Sequence, residues 1–318
     1  MNRKRTLTSF VKEYLAHRRS VGFELADAGR QLLHFAQYAD QRSSKRTLSS
    51  ELAIRWAGLP KKASGTYRAH RLNIVRQFAK YVAIFDSDVE IPPENVFGPA
   101  YCRVTPHIFT KAEIASLLAA TRELSPADGL RPHTYSTVFG LLICTGMRLS
   151  EVLHLTRTDV DLKKRLITIR ATKFKKSRLV PMHCSTAKAL LKYARMREHF
   201  LAVPPTDAFF VSQRGTALCV PTVETTFRNL QNQLSWTITG GRPAPRIHDM
   251  RHTFACERLT LWYEQGVEIE PRMLALSTYL GHACVKNTYW YLSAVPQLMQ
   301  WAGTRFEQFA EARSGDDL

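Results

Sequence analysis

The chain has 318 residues, 45% of them hydrophobic, so it can bury a real core and is long enough for two domains. Its net charge of +18, from 45 Lys and Arg against 27 Asp and Glu, and a pI near 9.9 point to a polyanionic partner. Residues 1–92 carry 17 basic and 8 acidic side chains and the remainder 28 and 19, which excludes an isolated basic tail as the source.

The six cysteines (Cys102, Cys144, Cys184, Cys219, Cys256, Cys284) include no Cys-x-x-Cys pair, which argues against a zinc ribbon. No apolar leader and no membrane-length apolar run is visible, so free thiols in a reducing cytoplasm are expected.

In chain order, Thr8 and Ser9 can cap a first helix with Phe10, Val11, Tyr14 and Leu15 on one face. A second helix fits 27–40, and a short third begins at Ser49-Ser50-Glu51 and runs through Trp56. After the basic turn 61–65, the spacing predicts a long helix over 66–85. Its polar side carries Arg68, His70, Arg71, Arg76 and Lys80, with no acid between Tyr67 and Tyr81. Pairing by i,i+4 salt bridges is therefore unavailable within the helix, and the stripe reads as a face turned to a polyanion. Residues 1–90 read as an independent four-helix unit, and the proline-rich stretch 91–106 as a linker.

Thr110 and Glu113 form a capping-box pattern opening a helix through Arg122. An apolar helix over 134–144 ends at Gly146 in the manner of a C-terminal glycine, Arg148 follows, and Ser150-Glu151 start a helix to Leu155. Stretches 165–170 and 178–182 read as a β-hairpin with Lys173, Lys175 and Lys176 at its tip. Helices are expected over 222–234 and from a cap at Ser185 to His199, with a short strand at 209–212 between them. A helix over 247–265 puts His248 and Arg251 one turn apart on one face, with His252 expected to pack locally on another. A further helix opens at Pro271 and ends near Leu280-Gly281. His282 follows, then Tyr291 after a short helical stretch, and Pro296 introduces an amphipathic helix through Ala312.

Arginines, histidines and a tyrosine so far apart along the chain make chemical sense together around one anion. A DNA phosphodiester fits: guanidinium forks match its oxygens, imidazoles can hold an oxygen or move a proton, and a phenol can attack phosphorus. The motifs Thr-Gly-Met-Arg148-Leu-Ser-Glu151, the hairpin lysines, His248-Asp-Met-Arg251-His, Leu-Gly-His282 and Tyr291 stand in the order of the tyrosine recombinase family, also called the phage integrase family. The resemblance covers nearly the whole chain. It implies a mainly α fold with a small β-sheet, made of an N-terminal helical core-binding (SAM-like) domain at 1–90, a linker at 91–106 and an α+β catalytic domain at 107–318 with a C-terminal helix.

The resemblance also assigns roles. Tyr291 is the nucleophile, Arg148 and Arg251 grip the non-bridging oxygens, His248 takes the phenol proton, and His282 hydrogen-bonds the phosphate. Lys173 protonates the departing 5′ oxygen, with Lys175 or Lys176 as substitutes, and Glu151 supports the arginines from behind. Counting from Gly281-His282 selects Tyr291 over Tyr289 and Tyr279. Arg68, Arg71, Arg76, Lys80, Lys175 and Lys176 are the expected DNA contacts. The implied reaction is site-specific cleavage and rejoining through a 3′-phosphotyrosine, without metal, ATP or other cofactor, as used by mobile elements. Expected partners are double-stranded DNA, further copies of the chain in a dimer or tetramer held by the C-terminal helix, and other recombinases. A type IB topoisomerase-like enzyme and a catalytically idle DNA-binding protein are the competing readings.

Overall fold

The computed structural model describes residues 6–42, 48–101, 103–170, 177–201, 205–238, 241, 243–282, 284–294, 303 and 307. The chain divides into two compact units, Met1–Arg103 and Val104–Leu318.

Among the described residues, the first unit holds four helices: α1 (Leu7–Ser20), α2 (Ala26–Arg42), α3 (Ser50–Gly58) and α4 (Gly65–Val82). Their apolar faces converge on Val11, Leu32, Phe35, Trp56, Val75 and Phe78, all essentially without solvent contact. The cap of α1 is Thr6, not the expected Thr8 or Ser9. The reason lies in α2, whose Asp40 carboxylate accepts from the backbone of Leu7 and Thr8 and from the Thr8 hydroxyl at 2.6 Å. Helix α4 stops three residues short of the expected end, leaving Ile84 and Phe85 exposed. Much of the expected linker belongs to this unit. Phe97 packs against the core, and Arg76 donates to the Pro92 carbonyl and pairs with Glu94.

The second unit contains α5 (Lys111–Arg122), α6 (Leu130–Thr145) and α7 (Leu149–Leu153), then a three-stranded antiparallel sheet ordered β1 (Val160–Asp161), β2 (Leu166–Ile169), β3 (Arg178–Pro181). Helices α8 (Cys184–Phe200), α9 (Val220–Gln233), α10 (Ile247–Glu264), α11 (Ile269–Leu280) and α12 (Lys286–Ala294) follow. The capping box of Thr110 and Glu113 is present in full. In the hairpin, Ile167 pairs with Val180 and both are fully buried, which fixes which side chains of β3 face the core. His183, not Ser185, caps α8, because its ring nitrogen accepts the Ser185 backbone N–H. The expected strand at 209–212 makes only isolated bridges. Its Val211 N–H is satisfied by the buried Tyr193 hydroxyl at 3.1 Å, so a side chain does what a neighbouring strand would. No helix among the described residues is long and apolar enough to cross a membrane.

Two glycines end the helices that frame the site. Gly146 after α6 (φ +61°) and Gly281 after α11 (φ +67°) are left-handed. A Cβ at Gly146 would lie 2.5 Å from the Phe254 ring, and one at Gly281 would lie 2.7 Å from the Arg178 guanidinium. Neither position admits a side chain, so α6 and α11 must stop there and expose their last carbonyls to the space between them.

Candidate active site

Those carbonyls organise the centre. Helix C-termini leave acceptors unpaired and carry partial negative charge. Here three arginines from different elements take them: Arg178 Nε donates to the Tyr279 carbonyl at 2.8 Å, Arg251 to Leu280 at 2.7 Å, and Arg148 to Gly281 at 2.9 Å. Arg251 also donates to the Gly146 carbonyl at 2.7 Å, so one buried guanidinium bridges the ends of α6 and α11. Arg148 and Arg251, 103 positions apart in sequence, are thus brought to one place.

Glu151 ties the cluster from behind. One oxygen accepts from Arg148 at 2.7 Å and from Arg178 at 2.9 Å; the other accepts from Arg178 at 2.8 Å and from the Arg148 backbone N–H at 2.9 Å. Burial works to raise its pKa, but the hydrogen bonds and charges of Arg178 and Arg148 outweigh this and hold it at about 2. The folded pKa lies below the ordinary value of 4.5. The stability it contributes, about 3 kcal/mol by linkage, is therefore complete above about pH 4.5 and is lost as pH falls towards 2. In denaturant titrations at pH 7 and pH 3, the wild-type advantage over Glu151→Gln is expected to shrink by most of that amount at the lower pH.

The imidazoles come next. His248 opens α10 and reaches the surface, where partial desolvation and then the charges of Arg251 and Arg246 lower its pKa to about 4. His282 is half-buried and is pushed to about 3 by burial, then by Arg251 and Arg148. Both are therefore neutral near pH 7. His252 corrects an expectation: it lies one turn after His248 on the same face, with their rings 4.9 Å apart. Four positions make nearly one helical turn, so the two rings meet edge to face along α10. The Nδ1 of His252 is buried without a hydrogen-bond partner.

Tyr291 lies within α12 and is only 2% exposed. Its ring meets His252 at 5.4 Å and stacks on His282 at 6.0 Å. Burial raises the phenol's pKa, and the charge and hydrogen bond of Arg251 pull the other way. Two imidazoles therefore meet the Tyr291 ring, those of His252 and His282, and His248 touches the first of them. The other tyrosines are placed differently. Tyr279 stacks on Phe254 with its pKa pushed up to about 12 by burial, and Tyr289 is exposed.

A cleft of about 800 Å³ opens beside Arg148 and His248, and its far wall is α9, with Glu224, Arg228, Gln231 and Asn232. Sequence reasoning assigned nothing to α9, to Arg178, or to Thr288, whose hydroxyl lies 2.7 Å from Nδ1 of His282. Arg178 had a visible signal in its place beside Val180-Pro181; the others had none without the fold. Lys173, Lys175 and Lys176 fall outside the described residues, as do most residues of the expected C-terminal helix. Among the described residues, no group of three or more His, Cys, Asp or Glu side chains is arranged to hold a metal ion.

In the first unit, the basic stripe of α4 is largely committed internally. Arg71 is buried, donates to the Trp56 carbonyl and lies 3.7 Å over the indole, so it does not face a polyanion. Arg68 donates to the carbonyls of Pro60 and Lys61, and Arg76 is taken by Pro92 and Glu94. Lys80 and His70 stay exposed.

The phage integrase family model matches residues 107–297. Protein y4rB of Sinorhizobium fredii, named as a candidate integrase/recombinase, is 40% identical over 97% of this chain and 99% of its own length. The tyrosine recombinase XerC of Chlamydia caviae is 30% identical over 70% of this chain and 65% of its own. Among solved structures, a Tn1549 transposon integrase bound to transposon right-end DNA superposes with a TM-score of 0.67, at 19% identity over 96% of this chain and 100% of that one. A XerH recombinase in a post-cleavage complex gives 0.65 at 17% identity, over 94% and 85%. The order of motifs, the gathering of Arg148 and Arg251 beside Tyr291 and these likenesses agree: the chain is a site-specific DNA recombinase of the phage integrase family.

Proposed function

We propose that the protein cuts one DNA strand by attack of the Tyr291 phenol on a backbone phosphorus, and rejoins it to a different end. The new bond is a 3′-phosphotyrosine, the broken bond is that to the 5′ oxygen, and the reverse attack by a 5′-hydroxyl from a partner duplex completes the exchange. One ester replaces another, so no high-energy compound is consumed. The observation that carries this reading is the convergence of Arg148, Arg251 and His282 around Tyr291.

Arg148 and Arg251 each spend only part of their five N–H donors on helix-end carbonyls. The remaining donors are available to non-bridging oxygens, and they bind more tightly as charge grows in the transition state. The phenol proton passes to a neutral imidazole, either His248 through the intervening His252 or His252 itself. Lys173, Lys175 or Lys176 protonates the departing oxygen. The α9 wall of the cleft, with Arg228 and Gln231, meets DNA near the cut. Lys80 of the first unit adds a phosphate contact, and the charge of +18 makes affinity fall steeply with salt. The protein acts in the cytoplasm, where the DNA is, on two sites paired by further copies of the chain through the C-terminal helix. Its outcome is the integration, excision or transposition of a mobile element.

The deciding experiment uses a duplex site recovered by selection from random-sequence DNA. Strand exchange between two such duplexes supports recombination. Relaxation of a supercoiled plasmid lacking the site would favour the topoisomerase-like reading, and binding without any covalent adduct would favour the idle one.

A further inference from the structure

Thr288 sits in the first turn of α12 and is wholly buried. Its Oγ1 lies 2.7 Å from Nδ1 of His282. The backbone of His282 is held independently. Its N–H donates to the Ser277 carbonyl at 2.9 Å, while Gly281 N–H donates to Thr278 at 3.0 Å, the paired bonds that close a helix around a left-handed glycine. The imidazole is therefore fixed at its backbone by α11 and at one ring nitrogen by α12, and its face stacks on Tyr291.

A neutral imidazole has one N–H and one lone pair, and the partner of one nitrogen decides what the other presents. If the threonine hydroxyl donates to Nδ1, Nε2 carries the proton and can donate to an anion. If the hydroxyl accepts from Nδ1–H, Nε2 presents a lone pair and repels a phosphate oxygen. Only the first arrangement suits a ring beside guanidinium donors that serve the same anion. We propose that Thr288 is a positioning residue of the recombinase reaction: its hydroxyl donates to Nδ1 of His282, so that Nε2–H faces the scissile phosphate. This rests on the reading of His282 as a phosphate contact. It also explains why a polar side chain is buried in α12 and how nucleophile helix and phosphate ligand keep register: one hydrogen bond joins α12 to the residue that follows α11.

The test uses the full chain labelled with ¹⁵N-histidine, with His282 signals identified by their loss in His282→Ala. Wild type and Thr288→Ser are expected to show Nε2 protonated and Nδ1 as acceptor, and Thr288→Val, which keeps the shape and loses the hydroxyl, a mixture of tautomers. On a nicked duplex carrying the selected site, Thr288→Val should form covalent adduct at least about tenfold more slowly with DNA affinity unchanged, and Thr288→Ser within about threefold of wild type. A wild-type proton on Nδ1 overturns the proposal without recourse to any variant. So does an unchanged tautomer and rate in Thr288→Val, or a loss in Thr288→Ser as deep as in Thr288→Val, which would mean that packing is what matters. If His282→Ala slows adduct formation and Thr288→Val does not, this inference alone fails; if His282→Ala has no effect, the phosphate role of His282 fails with it.

Discussion

Replacing Tyr291 with phenylalanine is expected to abolish covalent attachment to DNA while leaving binding and fold intact. The phenylalanine ring fills the same volume against His252, His282 and Trp290. What is lost is the oxygen and its bond with Arg251, a change of about 1 kcal/mol in stability. Arg251 keeps its two carbonyl acceptors, so the arginine cluster stays in place. The chemistry, by contrast, has no substitute nucleophile: a nicked duplex that traps the denaturation-resistant adduct of the wild type should give at least about 10³-fold less with Tyr291→Phe. A mobility shift on the same duplex should be unchanged. Adduct formation at the wild-type level would move the nucleophile elsewhere, with Tyr289 the first suspect because it is exposed two residues earlier. The phenol is almost fully covered, whereas the Arg148 side chain is 32% exposed.

Arg251 is expected to matter twice, for stability and for chemistry. It is 2% exposed, and burial lowers its pKa to about 10, which still leaves it charged at neutral pH. Substitution by methionine would leave the Gly146 and Leu280 carbonyls buried without donors, at about 1–3 kcal/mol each. Calorimetry should show the catalytic unit melting several degrees lower, since about 1 kcal/mol moves a unit of this size by about 2–4 °C. Arg148→Met should cost much less stability, because its side chain is partly solvated. Both variants should lose at least about 10²-fold in adduct formation, as expected when a donor to a growing negative charge is removed. Arg251→Lys separates the two roles. The lysine keeps the charge but is a point donor that cannot span both helix ends, so adduct formation should stay far below wild type even if the melting temperature recovers. Full activity in Arg251→Lys would show that the bridging geometry is irrelevant.

The residues that could be read from the sequence are those whose meaning is local. Helix positions followed from 3.6-residue periodicity, and the Thr110–Glu113 box formed as written because both partners lie within one turn. Gly146 and Gly281 marked the ends of α6 and α11 because a left-handed residue is nearly always glycine. The basic stripe of α4 shows where local reading stops. No acid lies within reach along the helix, yet Arg76 finds Glu94, 18 positions later, and Arg71 finds the face of Trp56. A charge count along one helix is blind to a partner that the chain folds back from elsewhere. His252 departs from the expected face for a simpler reason, since four residues make almost a full turn and carry it back to the face of His248.

Taken alone, the sequence determined most of the helices, the hairpin and the order of the family's motifs, because these depend on side-chain chemistry and on spacing within a few residues. Only the tertiary structure decided that the last carbonyls of α11 would hold Arg178, Arg251 and Arg148 in turn, that Glu151 would bind two of them, and that His252 would stand between His248 and Tyr291. Several of the arginine–carbonyl contacts join residues more than a hundred positions apart. They exist because unsatisfied helix-end acceptors and permanently charged guanidinium groups had to be buried together, and no window along the chain contains both members of such a pair.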